Sequence, residues 1–156
     1  EQRVIIPSIT ADTYKYIPEM QADKITQSVL NSLKTEPQDF YLINYANPDM
    51  VAHSGNFKAT KKAVECVDQQ IKKLYEQIIK KMNGTLYITA DHGNAEIMWD
   101  EKNDQPHTSH TNNPVEFIDV NQALKDKKIQ LPLKELKDIA PFILQNLKIK
   151  TPKEMS

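Results

Sequence analysis

The chain has 156 residues, 39% apolar and 26% charged, a balance that excludes a disordered tail and suits one globular core with little room for a second domain. Its 20 basic residues face 21 acidic ones with no basic block or stripe, which argues against a nucleic-acid partner. The longest apolar runs, such as 40–43 and 86–88, fall far short of the roughly 20 residues a membrane span requires, and residues 1–6 carry no secretory pattern.

The elements alternate between strand-like and helix-like, which predicts a layered α/β domain. Val4 to Ile6 is a short β-branched run ended by Pro7. A turn-rich stretch reaches Pro18, and Ala22 to Lys34 then sets Ile25, Val29, Leu30 and Leu33 at helical spacing. Phe40 to Tyr45 reads as a buried strand. Asn47-Pro48 should end it and start a helical turn, with Asn as the cap and Pro at the first helical position. From Phe57 to Met82 the positions Ala63, Val64, Val67, Ile71, Leu74, Ile78 and Ile79 keep a 3.6-residue period, and Asn83-Gly84 supplies the stop. Thr85 to Thr89 follows as a strand, Ala90 to Asn113 as a long polar loop, and Val115 to Val120 as another strand. Loops of that length usually carry function. Leu133 to Leu147 is helical in spacing, with Pro141 bending it or marking a new start. The single cysteine, Cys66, falls inside the long helical pattern as an inert, half-buried thiol, and with no partner for a disulfide the expected setting is the reducing cytoplasm, as a monomer.

Carboxylates and imidazoles gather in three segments that follow predicted strands: Asn47 to His53, Thr89 to Asn94, and His107 to Thr111. Sites of open α/β sheets form outside the carboxyl ends of strands, so segments distant in sequence can converge on one place. Asp49 and His53 stand four apart, which on a helical turn points both side chains the same way. Asp91 and His92 are adjacent at a strand end, where Gly93 eases the turn, and His110 would add a nitrogen from the third segment. Carboxylate and imidazole ligation without cysteine suits Mn²⁺, Zn²⁺ or Co²⁺. Asp49, His53, Asp91, His92 and His110 together exceed what one ion with an open position takes, so two ions are the expected count. A lone D-x-x-x-H is more often a solvated ion pair or a cap. All four histidines of the chain, however, lie in these three segments. His107 reads as solvent-facing or as supporting a ligand, and Trp99 as a lid or packing residue.

These segments, Asn-Pro-Asp-Met-Val-Ala-His at 47–53, Thr-Ala-Asp-His-Gly-Asn-Ala-Glu at 89–96 and His-Thr-Ser-His-Thr-Asn-Asn-Pro-Val at 107–115, resemble the metal-binding motifs of cofactor-independent phosphoglycerate mutases, members of the alkaline phosphatase superfamily. Thr13-Tyr14, Pro18-Glu19-Met20, Asp138 to Pro141 and Pro152 to Met155 resemble further stretches of that family, in its order along the chain. The resemblance implies an incomplete alkaline-phosphatase-like α/β domain, a layered sheet with helices on both faces. It implies one Mn²⁺ held by Asp49, His53 and His110 and a second to which Asp91 and His92 contribute, with no 2,3-bisphosphoglycerate needed. It also implies interconversion of 3-phosphoglycerate and 2-phosphoglycerate through a phosphoserine, within glycolysis and gluconeogenesis.

Members of that family are several hundred residues long, and they carry the nucleophilic serine, another aspartate ligand and an arginine-rich substrate domain ahead of the part that residues 1–156 resemble. Arg3 is the only arginine here and no segment looks like the serine motif, so residues 1–156 are expected to be the C-terminal portion of the metal-binding domain, without a catalytic nucleophile and inactive alone. Ala11-Asp12 stands where the family usually has Val-Ala, and Phe142 where Thr is usual. Two other readings stand beside this one: a phosphatase or phosphopentomutase relative of the same metal architecture, against which Asn-Pro-Asp-Met and Pro-Glu-Met argue, and a non-enzymatic domain with incidental histidines.

Overall fold

The computed structural model describes residues 1–124 and 131–155, and the chain forms two compact units, Glu1–Gln122 and Ala123–Ser156. In the first unit, α1 (Ala22–Thr35) and α3 (Phe57–Tyr75) form where the apolar spacing predicts them. The Asn56 side chain caps α3 by accepting from Ala59 N at 3.0 Å. At its far end the helix widens into a π-helical turn, Glu76–Lys81. The predicted stop is delivered jointly: Asn83 takes the left-handed conformation at φ 52°, and Gly84 N donates to Ile78 O at 2.8 Å. A Cβ on Gly84 would come within 2.9 Å of Ile78 Cγ2. Lys73 Nζ, 2.7 Å from Asp23 Oδ1, links α3 to α1.

Between them lies the short α2 (Asn47–Ala52), with Pro48 in its first turn. The expectation that Asn47 caps this helix is corrected, since the N-cap position is Ala46. Asn47 is instead almost wholly buried, and its amide donates to Pro18 O at 3.0 Å and Glu19 O at 2.7 Å. The buried Asn47 amide finds its acceptors in the preceding turn, at Pro18 O and at Glu19 O, and these nonlocal bonds take the place of the local cap.

Strand β1 (Leu86–Thr89) pairs antiparallel with β4 (Phe117–Val120), Leu86 opposite Val120 and Thr89 opposite Phe117. The loop predicted over 90–113 contains a small hairpin, β2 (Trp99–Asp100) on β3 (Gln105–Pro106). Its turn is made by Asp100, whose carboxylate accepts from Lys102 N, Asn103 N and the Asn103 amide, with Asp104 left-handed at φ 51°. Trp99 is half exposed in this hairpin.

Two predicted strands make no ladder among the described residues. Val4 and Ile5 are 64% and 77% exposed, and 40–45 runs uncoiled and unpaired. The period-2 pattern of 40–45 nonetheless survives: Tyr41, Ile43 and Tyr45 are half-buried while Phe40, Leu42 and Asn44 face out, Leu42 at 89%. The inner side leans on α1, with Tyr41 OH 3.0 Å from Ser32 Oγ and Tyr45 OH 2.7 Å from Thr26 Oγ1. A strand is completed by a neighbour, and propensity alone cannot supply one.

The core of this unit is small. Four of its seven buried apolar residues are alanines (Ala22, Ala52, Ala59 and Ala63), joined by Val51, Leu74 and Ile79. Val51 packs with Ala59 and Ala63, and Tyr14 and Met20 close over them. Alanines at the contact let α2 approach α3 closely, whereas only Val51, Leu74 and Ile79 bring the roughly 1.5–3 kcal/mol that a large buried aliphatic contributes.

In the second unit the predicted helix starts afresh before Pro141, as α4 (Ile139–Asn146) behind a single turn, Leu136–Asp138. Pro141 occupies the first turn of α4, where no intrahelical donor is required. Asp138 accepts from Lys134 N and Glu135 N, and those two donors hold its carboxyl below the usual carboxylate range. Residues 125–130 lie outside the described residues.

Burial raises the Tyr45 phenol above its ordinary pKa of 10.0, offset in part by the Thr26 hydrogen bond. A raised value means the neutral phenol favours the folded state. Its contribution is therefore full below about pH 10 and fades as pH rises through the folded value. Titration followed at 295 nm, differenced against Tyr45→Phe, should place this phenol above the exposed tyrosines; a midpoint at or below theirs would contradict the burial.

Candidate metal centre

The helical turn of α2 does what the spacing of Asp49 and His53 requires, bringing His53 Nε2 to 3.3 Å from Asp49 Oδ1. His110 arrives from the third segment with its Nε2 3.2 Å from the same oxygen and 3.1 Å from His53 Nε2. Two donors about 2.1 Å from one ion at tetrahedral or octahedral angles stand about 3.0–3.4 Å apart. The three separations, 3.1, 3.2 and 3.3 Å, all fall in that range, so the trio fits a single transition-metal ion.

The surroundings prepare these atoms. His53 Nδ1 lies 2.7 Å from Thr108 O, and because a carbonyl only accepts, the proton sits on Nδ1 and the lone pair of Nε2 faces the trio. Asn94, 4% exposed, donates its amide to Asp49 Oδ1 at 2.7 Å and aims the carboxylate, while its own Oδ1 is buried with no partner among the described residues. Reversing the amide would set an oxygen against a carboxylate, which fixes its orientation.

Two glycines allow the segments to meet. Gly55 is left-handed at φ 66°, and a Cβ there would stand 2.8 Å from Pro106 Cβ and 3.2 Å from Thr108 Cγ2. That clearance lets the third segment lie on the end of α2 and deliver Thr108 O to His53. Gly93 forms an isolated bridge with Thr111, whose N donates to Gly93 O at 2.8 Å.

Asp91 and His92 lie beside the trio rather than within it. His92 stacks on His110 with ring centroids 3.7 Å apart, and its Nε2 is 4.0 Å from Asp49 Oδ1 and 3.7 Å from Asp91 Oδ1. The Asp91 side chain is 86% exposed. His107 stays with the hairpin: its N donates to Met98 O, and its Nδ1 is buried with no partner among the described residues. Asn94, Glu96, Thr108, Thr111 and Gly55 escaped the sequence reading. Asn94, Glu96, Thr108 and Thr111 lie inside the quoted motifs, but spacing alone gives amide, hydroxyl and backbone groups no distinguishing mark. A cavity of about 400 Å³ opens next to His53, lined by Asp12, Tyr14, Lys15, Met50 and Ser54 among others. Cys66 is free and half-buried, and burial pushes its thiol up, away from the reactive thiolate.

Residues 1–151 match the family profile described as the metalloenzyme superfamily. Over all of its 156 residues the chain is 46% identical to the 2,3-bisphosphoglycerate-independent phosphoglycerate mutase of Ehrlichia canis (strain Jake). Its identity to the enzyme of the same name from Wolbachia pipientis wMel is 45%, and to that of Clostridium botulinum (strain ATCC 19397 / Type A) 43%, again with the whole chain covered. The chain spans only 30% of the length of each of these relatives. Among solved structures, one of Leishmania mexicana phosphoglycerate mutase at low cobalt concentration superposes with a TM-score of 0.81 at 30% identity, covering 97% of this chain and 30% of that one. The incomplete α/β fold expected from the sequence is thus shared with that structure.

Gly55→Ala should cost about 1–2 kcal/mol from the left-handed backbone alone, and more from the contact with Pro106. Denaturant unfolding measures the loss, and the His53 ring signals in NMR should shift as Thr108 O withdraws. Unchanged stability with unchanged His53 shifts would show that the close approach is not needed.

Proposed function

The chain belongs to the metalloenzyme superfamily, and on that premise we propose that it is the metal-binding, C-terminal part of a 2,3-bisphosphoglycerate-independent phosphoglycerate mutase. The observation that carries this reading is the convergence of Asp49, His53 and His110 at 3.1–3.3 Å, in a chain that mutases match from end to end. In this reading the three hold one Mn²⁺, Asp91 and His92 contribute to a second, and the partner is a small substrate, 2- or 3-phosphoglycerate. When bound, such ions neutralise charge on a transferring phosphoryl group and activate an oxygen nucleophile. The chain's own residues set the ligands beforehand: Thr108 O fixes the His53 tautomer, Asn94 aims Asp49, and stacking on His92 orients His110. A monomer in the cytoplasm fits the same reading, and among the described residues no helix is long and apolar enough to cross a membrane.

In the same reading none of the serines near the centre is the nucleophile. Ser54 Oγ donates to Val51 O at 2.6 Å and accepts from Asn56 N, which commits it to the end of α2. Ser109 adjoins His110 but lies exposed. Arg3, the residue best suited to grip a carboxylate or phosphate, is paired with Glu1 at 2.7 Å on the surface.

Two outcomes follow. Calorimetry should detect one tight Mn²⁺ site whose affinity falls about a hundredfold in Asp49→Ala, with the second ion at Asp91 and His92 bound poorly, while a chain that binds no Mn²⁺ would favour the non-enzymatic reading. Incubation of the Mn²⁺-loaded chain with 3-phosphoglycerate, followed by a coupled assay for 2-phosphoglycerate and by a search for phosphoserine, should show neither. Turnover that vanishes in Asp49→Ala would prove that the chain holds a nucleophile after all.

A further inference from the structure

One carboxylate next to the centre has no part in ligation and still takes three hydrogen bonds from the segments that form it. Glu96 Oε2 accepts from Asn94 N at 2.6 Å, and Oε1 accepts from Asn113 Nδ2 at 3.0 Å and from the Thr111 hydroxyl. The donation from Thr111 is the main reason its carboxyl is held below the usual range. We propose that Glu96 is a positioning residue of the metal centre, a staple that holds the segment bearing His110 against the segment bearing Asp91, His92 and Asn94. The proposal rests on the metal reading of Asp49, His53 and His110.

The connections run one residue deep on each side. Asn94, held through its backbone N, is the residue whose amide aims Asp49. Thr111, held through its hydroxyl, follows His110 directly in the chain. A carboxylate is acceptor-only, so three converging donors suit it and would not suit a glutamine, whose amide nitrogen must meet one of those donors. Thr111 Oγ1 also accepts from Asn113 N at 3.3 Å, so its single proton is free for Glu96. The staple seats directly on Gly93: a Cβ there would collide with both Thr111 Oγ1 and Glu96 Oε1. Glycine at 93 therefore makes room for this contact as well as easing a turn.

Glu96 is exposed and adds nothing to the apolar core, which separates positioning from folding. The ordering of a long polar segment costs conformational entropy, and a staple that orders it before the ion arrives lowers that cost at binding. Partners that orient metal ligands typically matter by about ten- to a hundredfold in metal affinity.

The test uses Co²⁺ as probe with the full chain and four variants, Glu96→Ala, Glu96→Gln, Thr111→Val and Thr111→Ser. Affinity is read by calorimetry, ligand geometry by the visible Co²⁺ absorption, and folding by the unfolding midpoint of the ion-free chain. Glu96→Ala, Glu96→Gln and Thr111→Val should bind about ten- to a hundredfold more weakly with an altered visible band, while Thr111→Ser, which keeps the hydroxyl, should match the parent. The ion-free midpoint should stay in place throughout. Parent-like affinity and spectrum in Glu96→Ala and Thr111→Val would overturn the staple and leave the metal reading standing. A fall in the ion-free midpoint that accounts for the lost affinity would make Glu96 structural and overturn it too. Failure of the parent chain itself to bind Co²⁺ would overturn both.

Discussion

The Asp49 carboxylate is the point on which the arrangement depends. A single oxygen accepts from Asn94 and lies within 3.2 to 4.0 Å of three imidazole nitrogens, those of His53, His92 and His110. In the proposed reading a cation shared by these donors offsets the repulsion between a carboxylate oxygen and nitrogen lone pairs that stand so close together. Asp49 reaches that place because α2 is short, carries a proline in its first turn and sits on α3 through alanines. The apolar contact thus sets the position of one ligand pair, and polar contacts bring the rest to it.

Those two kinds of force are unequally distributed. The core is thin and rich in alanine, whereas the surface carries Val4, Ile5, Phe40 and Leu42 at half exposure or more. Exposed ion pairs such as Lys80 with Glu76 are screened by water and cannot replace a missing aliphatic contact. The chain spans 30% of its relatives' length, yet 97% of it superposes on a solved mutase. At the centre the segments are joined by hydrogen bonds, His53 to Thr108, Asn94 to Asp49 and Thr111 to Gly93, rather than by deep apolar burial.

Legibility in the sequence followed the range of the interaction. Helix α3 was readable because its period is carried by consecutive turns, and Asp49 with His53 because one helical turn alone determines their common side. The stop at Asn83-Gly84 was local too, although Asn83 rather than glycine takes the left-handed residue. What failed was nonlocal. Residues 4–6 and 40–45 have strand composition but no partner among the described residues. The side chain of Asn47 went to two carbonyls 28 and 29 positions away, not to its own helix. Strands β2 and β3, two residues each, are too short to show alternation. At the site, the residue types announced a metal and the strand-end rule raised the meeting of three segments as a hypothesis, to which the family resemblance added a division of the ligands between two ions. The groups that orient them are amides, a hydroxyl and a backbone carbonyl, which look in sequence like any loop.

The glycines explain why such a centre tolerates a weak core. At both Gly55 and Gly93 the chain segments touch at distances a Cβ would forbid. Close approach shortens the hydrogen bonds that can form across the gap, His53 to Thr108 and Thr111 to Gly93. Each such bond removes freedom from a segment that has little apolar surface to anchor it, and each joins two residues that are far apart in sequence. Because His110 lies between Thr108 and Thr111, it is fixed at both flanks by these bonds, and its ring needs only the stacking of His92 to settle its direction. Replacing either glycine would open the gap on one side and leave His110 tethered at a single flank. The position of the third ligand is thus set by two absent side chains as much as by any contact that is present.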